Sequence, residues 1–311
     1  MDLRFVQQLE CVPDTKGGEA AFACLEQKVE DGAKCRFGCI GEIEKNRLAH
    51  EFELIRATNT AKRFLYWADI VAAIRQKIYP YIYSVQNCSL VSYCLGITEV
   101  NPLLTGSYFE RLLTRRSTHV PILFIEVPKG RGREASEVLK EKTLIKIEEN
   151  AALPDLDPID VMDFFKRATY ENREILQSAA SSLGLAGQKP LEAVRALADL
   201  LVYKRYKEFM DEKPSLLYQE DAVDLLVKAG LSYEEAECAR RAFAMKNRGE
   251  TTSCRKMFER AARKNGYSIG EANAIFSDVE KEINFTVCRA SYVAMAQYLY
   301  MNTFFQGKIK G

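Results

Sequence analysis

Residues 89–113 read SLVSYCLGITEVNPLLTGSYFERLL, and residues 120–127 read VPILFIEV. The second stretch has the make-up of a β-strand, in which side chains at i and i+2 point to one face. Ile122, Phe124 and Glu126 therefore share a face that is hydrocarbon except at its last position. Upstream, residues 20–38 read helical, and residues 46–57 and 61–77 place Leu48, Phe52 and Ile55, then Phe64, Leu65, Ala68, Val71 and Ile74, on one face each. Downstream lie a basic glycine-rich turn (PKGRGR, 128–133), a helical pattern (EASEVLKEK) and a β-favouring run, TLIKIE, at 143–148.

Residues 150–158 (NAALPDLDP) form a turn-rich junction, and everything beyond reads helical. Apolar spacing of three to four marks helices over 158–167, 171–183, 190–210, 216–229, 232–246, 251–265, 269–283 and 287–306, broken by glycines at 184, 187, 230, 249 and 266. The expected fold is α+β and mostly α-helical, with a small sheet that includes 120–127. Two domains are expected, residues 1–149 and 150–311.

Of the 311 residues 47% are apolar and 28% charged, which suits one large or two modest packed domains. A net charge of +1 means that any nucleic-acid footprint must be local rather than global. Nine scattered cysteines, none in C-x-x-C spacing, and only His50 and His119 argue for reduced thiols rather than a Cys/His zinc site. No signal-like N-terminus and no apolar run of about 18 residues is present, so a soluble, cytoplasmic protein without a membrane partner is expected.

The 89–113 segment resembles the palm of the bacterial DNA polymerase III alpha subunits, the C-family replicases, which carry S-L-V-A-Y-x-L-G-I-T-D-x-D-P-L followed by F-E-R-F-L. In that family a P-D-x-D-x-D strand follows, and its carboxylates hold two Mg²⁺ ions for phosphoryl transfer. Pro121 matches the proline, whereas Ile122 and Phe124 stand at the first two aspartate positions and Glu126 alone matches the third. The family's glycine-rich G-P-G-R-G-S-A-A-G-S turn, whose backbone closes on the triphosphate, appears as Pro80 to Ser89, PYIYSVQNCS. Two losses at one site imply an inactive palm.

The resemblance continues through most of residues 20–306 in the family's order. LPDLDPIDVMDFF resembles the entry to the fingers, Tyr218-Gln219-Glu220-Asp221 matches Y-Q-E-Q, and Arg240-Arg241 to Lys246 matches R-R-A-M-G-K-K. The family's F-N-K-S-H-A appears as Phe285 to Ala290, FTVCRA, and its Y-R-P-G-P turn as Tyr203 to Lys207, so polar and glycine positions are lost while packing positions stay. The family's thumb and later aspartate strand find no match in the short span between Val127 and TLIKIE. The resemblance implies a truncated, degenerate form: a reduced nucleotidyltransferase-like palm without a thumb, then a helical fingers-like domain.

Residues 240–264 carry Arg240, Arg241, Lys246, Arg248, Arg255, Lys256, Arg260, Arg263 and Lys264 against Glu250 and Glu259, nine positive minus two negative, or +7. Because these charges coincide with the fingers-like motif, they are expected to face DNA rather than solvent or an acidic protein. Arg240, Arg241, Lys246, Arg248, Arg255, Lys256 and Arg260, with Ser89 and Arg111, are the expected DNA or nucleotide contacts. The PKGRGR turn suits a phosphate at a helix N-terminus, but without a Gly-Lys-Ser/Thr it reads better as an exposed turn. Tyr292, Tyr298, Tyr300, Phe304 and Phe305 fit core packing better than base stacking, and Asp155, Asp157, Asp160 and Asp163 fit a helix N-terminal turn better than a metal site.

The leading expectation is a catalytically inactive polymerase III alpha-like protein that binds DNA, as primer-template or single strand, or a replication or repair partner. It requires no cofactor and no resident metal. The alternatives are an active nucleotidyltransferase using Mg²⁺ held in part by Glu126, a protein scaffold that does not bind DNA, and one piece of a split polymerase.

Overall fold

The computed structural model describes residues 18–117, 120–139, 145–151, 153, 155, 190–207 and 215–309. The helices expected at 158–167 and 171–183 lie outside the described residues, as do His119 and Asp157, Asp160 and Asp163. The fold is α+β and mostly helical. Three helices, α1 (Gly18–Phe37), α2 (Glu42–Ala57) and α3 (Ala61–Arg75), lead into strand β1 (Tyr81–Ile82), a 3₁₀ turn at Val85–Cys88, and short helices α4 (Leu90–Cys94) and α5 (Pro102–Thr105). A 3₁₀ turn at Phe109–Arg111, β2 (Leu123–Pro128), α6 (Gly132–Glu137) and β3 (Ile145–Asn150) follow. The later helices are α7 (Pro190–Lys207), α8 (Gln219–Lys228), α9 (Tyr233–Ala244), α10 (Arg248–Lys264), α11 (Ile269–Glu282) and α12 (Arg289–Ile309).

The sheet has the order β1-β2-β3. β1 runs antiparallel to β2, with Tyr81 opposite Glu126, and β3 runs parallel to β2, with Lys146 opposite Phe124 and Glu148 opposite Glu126. Only residues 129–144 separate β2 from β3, and α6 lies within that crossover. Leu123, Ile125 and Val127 are fully buried, so their alternates, Phe124 and Glu126, take the half-buried face expected from the period of two.

Local chemistry sets the helix ends. Ser232 with Glu235 and Ser268 with Glu271 form complete capping boxes at the starts of α9 and α11. Asn247 caps α10, which moves its start from the expected 251 to Arg248. Tyr218 and Val287 pair as a parallel bridge, which removes both from the helical spans expected at 216–229 and 287–306. β1 lies within Pro80–Ser89, the stretch that the resemblance sets against a glycine-rich turn.

Among the described residues the core has three parts. The first joins α1–α4 to β2, β3 and α6, around Phe64, Trp67 and Phe109. The second sets Tyr79, Tyr81, Cys88 and Val100 against α7 and α12, and the third sets Tyr108 into α8–α11 around Phe258 and Phe276. Residues 79–109 thus contribute to all three. Tyr292 and Tyr298 are buried in the second part, where core packing was expected. A close approach in the first part requires a glycine, because a Cβ at Gly32 would lie 2.0 Å from the Cys94 carbonyl oxygen.

Glu99 fixes the end of the LGITEV segment by pairing with Arg36 at 2.6 Å and Arg75 at 3.0 Å. Burial opposes the charge on Glu99, yet the two guanidiniums outweigh it and hold the carboxyl below its ordinary value. The folded carboxyl thus titrates below the unfolded one, whose value is about 4.3. The stabilisation is complete above that value and disappears as pH falls through the folded pKa. Urea midpoints of the protein and of Glu99→Gln are expected to differ at pH 7 and to converge in acid. A pH-independent gap would show that the pairs do not form.

Candidate functional site

A cavity of about 570 Å³ opens over the half-buried face of β2 and β3. Ile122, Phe124, Glu126 and Glu148 form one wall; Tyr83, Ser84 and Val85 form an edge; Arg111, Gln219, Cys288 and Tyr292 close the other side. Strand register dictates this wall, since paired residues of parallel neighbours project to the same side. Glu126 is held by Asn150 Nδ2 at 2.8 Å, and Glu148 by Lys146 Nζ at 2.5 Å. The Lys146 ammonium also lies 5.6 Å from the centre of the Phe124 ring. Glu148 was missed in the sequence because nothing in TLIKIEE reveals which strand it will pair with.

Three buried carboxylates organise the surroundings of the cavity. Glu51, on α2, accepts hydrogen bonds from Ser89 Oγ (2.7 Å), Leu90 N (2.8 Å), Val91 N (2.9 Å) and Arg47 Nε (2.7 Å). Ser89 itself caps α4, through Ser92 N, and is fully buried. Glu237, on α9, accepts two hydrogen bonds from Arg240 (2.7 and 2.8 Å), one from Arg241 (2.8 Å) and one from the Tyr108 hydroxyl (2.9 Å). Arg111 reaches both α8 and α9, at 3.2 Å from Gln219 Oε1 and 3.7 Å from Glu237. Burial disfavours the Glu237 charge, but Arg240, Arg111 and Arg241 together keep its pKa below the ordinary value.

Glu220, the acid of YQED, accepts the Arg289 N–H at the start of α12 (3.0 and 2.9 Å), and its Oε1 lies 3.5 Å from Cys288 Sγ. Cys288 Sγ is in turn 3.9 Å from Cys88 Sγ. The contact between the thiols, with burial, pushes Cys88 well above its ordinary value, whereas the same contact, Arg111 and the Ser291 N–H draw Cys288 down. Burial and the charge on Cys288 push Glu220 well above its ordinary value.

The expected DNA contacts fall into two groups. Ser89, Arg111, Arg240 and Arg241 are drawn into the carboxylate network, and the Arg240 side chain is only 7% exposed. Arg255 is half-buried over the Phe276 ring and pairs with Glu280 at 2.7 Å. Lys246, Arg248, Lys256 and Arg260 are exposed, and the last three are spaced eight and then four residues apart along α10, which keeps them on one side of the helix. The PKGRGR turn already carries an anion of its own. The N–H groups of Gly130 and Gly132 donate to Glu149 at 3.0 and 2.9 Å, and Arg131 pairs with Glu134 and Asp155.

Residues 23–143 match the bacterial DNA polymerase III alpha NTPase domain. The error-prone DNA polymerase of Burkholderia mallei (strain ATCC 23344) is 33% identical over 144 residues, covering 45% of this chain and 13% of that protein. The error-prone DNA polymerase of Idiomarina loihiensis (strain ATCC BAA-735 / DSM 15497 / L2-TR) is 30% identical over 144 residues, 45% of this chain and 14% of that protein. The error-prone DNA polymerase of Anaeromyxobacter sp. (strain K) is 26% identical over 237 residues, 75% of this chain and 18% of that protein. Over part of its length the chain is thus similar to the bacterial DNA polymerase III alpha NTPase domain and to error-prone DNA polymerases, as the SLVSYCLGITEV segment implies. It spans less than a fifth of the length of these relatives. Among the described residues no helix is long and apolar enough to cross a membrane.

Proposed function

We propose that this protein is a catalytically inactive DNA polymerase III alpha-like protein that binds DNA through the exposed basic surface of α10 and the turn that precedes it. The observation that carries the inactive reading is the cavity wall itself, where Ile122 and Phe124 present hydrocarbon at the positions of the first two family aspartates. A two-metal centre requires carboxylates converging on cations about 3.5–4 Å apart. Here the remaining acids of the wall, Glu126 and Glu148, are each engaged by a neighbouring side chain. The surface offered to phosphates is Lys246, Arg248, Lys256 and Arg260, with Arg263 and Lys264 beside them. The division into a palm-like part, 1–149, and a fingers-like part, 150–311, a cytoplasmic location, and a replication or repair partner belong to the same reading.

Primer-template binding and extension are measured on one sample. Binding without incorporation of any nucleotide is the expected result. Replacing Lys246, Arg248, Lys256 and Arg260 together by alanine is expected to lower the slope of log affinity against log salt by about 3.6, at roughly 0.9 per phosphate contact. Between 50 and 200 mM salt the unaltered protein then loses about 150-fold more affinity than the variant. Fluorescence anisotropy that stays flat across a low-salt DNA titration would remove the DNA reading and leave a protein scaffold.

One observation favours a second reading, an active nucleotidyltransferase. The parallel register sets Glu148 directly beside Glu126, so two carboxylates lie on the cavity face rather than one. This reading demands Mg²⁺- or Mn²⁺-dependent incorporation that Glu126→Ala abolishes. It fails if no nucleotide is incorporated on primed or unprimed strands.

A further inference from the structure

Cys88 and Cys288 are 200 residues apart in the chain and meet beside Glu220, so no local spacing could have announced them. One ligand atom from each of the three lies within 4.8 Å of the others. Tetrahedral zinc, with Zn–S near 2.3 Å and Zn–O near 2.1 Å, places two sulfurs about 3.8 Å apart and a sulfur and an oxygen about 3.6 Å apart. The observed separations are 3.9 Å between the sulfurs and 3.5 Å between Cys288 Sγ and Glu220 Oε1. We infer that Cys88, Cys288 and Glu220 form a binding site for a single thiophilic divalent cation of the zinc class.

The surroundings suit that role. The Arg289 N–H fixes the Glu220 carboxylate, as the outer-shell partners of metal ligands do. Cys88 ends the 3₁₀ turn after β1, Cys288 immediately precedes α12, and Glu220 lies in the first turn of α8, so each ligand sits on a separate, packed element. Two thiolates, one carboxylate and a divalent cation sum to −1, and Arg111 lines the same cavity as Cys288 to offset it. Cys288 borders the 570 Å³ cavity, so water entering there completes the fourth position. Each ligand that enters the site protonated releases its proton to solvent, so affinity falls in acid. A bound cation would tie the turn after β1 to the start of α12, which supports the Cys88 packing in the second core.

The full-length protein, reduced and freed of metal by chelation, is titrated with Co²⁺ and then Zn²⁺. The expected result is a tetrahedral cobalt spectrum with thiolate charge transfer that saturates at one equivalent, is displaced by Zn²⁺, and is accompanied by a rise in Tm. Cys288→Ala and Cys88→Ala abolish the spectrum, whereas Cys35→Ser combined with Cys39→Ser, two exposed thiols, leaves it intact. Should either core variant fail to fold, Zn²⁺ protection of Cys288 from iodoacetamide in the unaltered protein gives the same answer by peptide mass spectrometry. Binding that survives Cys288→Ala, the absence of a saturable equivalent, or a Cys88–Cys288 disulfide in a protein whose reduced form takes up no metal would each overturn the inference.

Discussion

Glu237→Ala is expected to lower the unfolding free energy by about 3–5 kcal/mol, the range seen when one partner of a buried ion pair is removed. Glu237 is fully buried and serves Arg240, Arg241 and the Tyr108 hydroxyl at 2.7–2.9 Å. Its loss strands the Arg240 guanidinium, whose side chain is 7% exposed and therefore cannot regain its hydration without opening α9. Tyr108 belongs to the SYFERLL segment and stacks on Tyr233 with ring centres 5.5 Å apart, so the damage falls where that segment docks onto the later helices. Adding Arg240→Leu to the variant is expected to restore part of the stability, because an apolar replacement of both partners costs less than one unpaired charge. Urea denaturation of the two variants checks both statements. A loss below about 1 kcal/mol in Glu237→Ala would mean that the arginines are hydrated and the docking is loose.

Glu51→Ala is expected to cost a similar amount, about 3–5 kcal/mol, through buried donors left without acceptors. The Leu90 and Val91 amides both point at the Glu51 carboxylate, and the Ser89 hydroxyl and Arg47 Nε share it. Arg47 keeps its bonds to the carbonyls of Ser107 and Cys88, so α2 stays attached while α4 loses its N-terminal anchor. The readout that separates this from general loosening is hydrogen exchange. The Leu90 and Val91 amides should exchange faster in Glu51→Ala and be spared in Glu237→Ala under native conditions. Equal acceleration in both variants would show that the two carboxylates stabilise one cooperative unit rather than two separate junctions.

Much of the architecture is legible in the sequence. VPILFIEV announces a strand by composition and alternation, and the structure places Leu123, Ile125 and Val127 in the core and Phe124 and Glu126 on the cavity face. Helices α9 and α11 are framed by capping boxes that depend on four residues each, Ser232 to Glu235 and Ser268 to Glu271. The C-family resemblance is legible for the same reason, since it is carried by runs such as SLVSYCLGIT and YQED whose order survives in one dimension. The two-residue strand β1 is not legible, because its extended conformation is stabilised by hydrogen bonding to β2, more than forty positions away in the chain.

The charge count over 240–264 shows the limit of such reading. It treats nine cations as equal, yet Arg240 and Arg241 neutralise Glu237 while Lys246, Arg248, Lys256 and Arg260 face solvent. Desolvation decides which arginines must find a carboxylate, and desolvation is a property of the packed chain. By itself, then, the sequence determined the kinds of element, their order, the family likeness and the hydrocarbon at Ile122 and Phe124, all of which follow from short-range pattern. Only the tertiary structure decided that Glu148 joins Glu126, that Glu51 and Glu237 hold the motif segments in place, and that Cys88, Cys288 and Glu220 meet. Those contacts join residues 22 to 200 positions apart, and their energies exist only once the intervening chain has folded and excluded water.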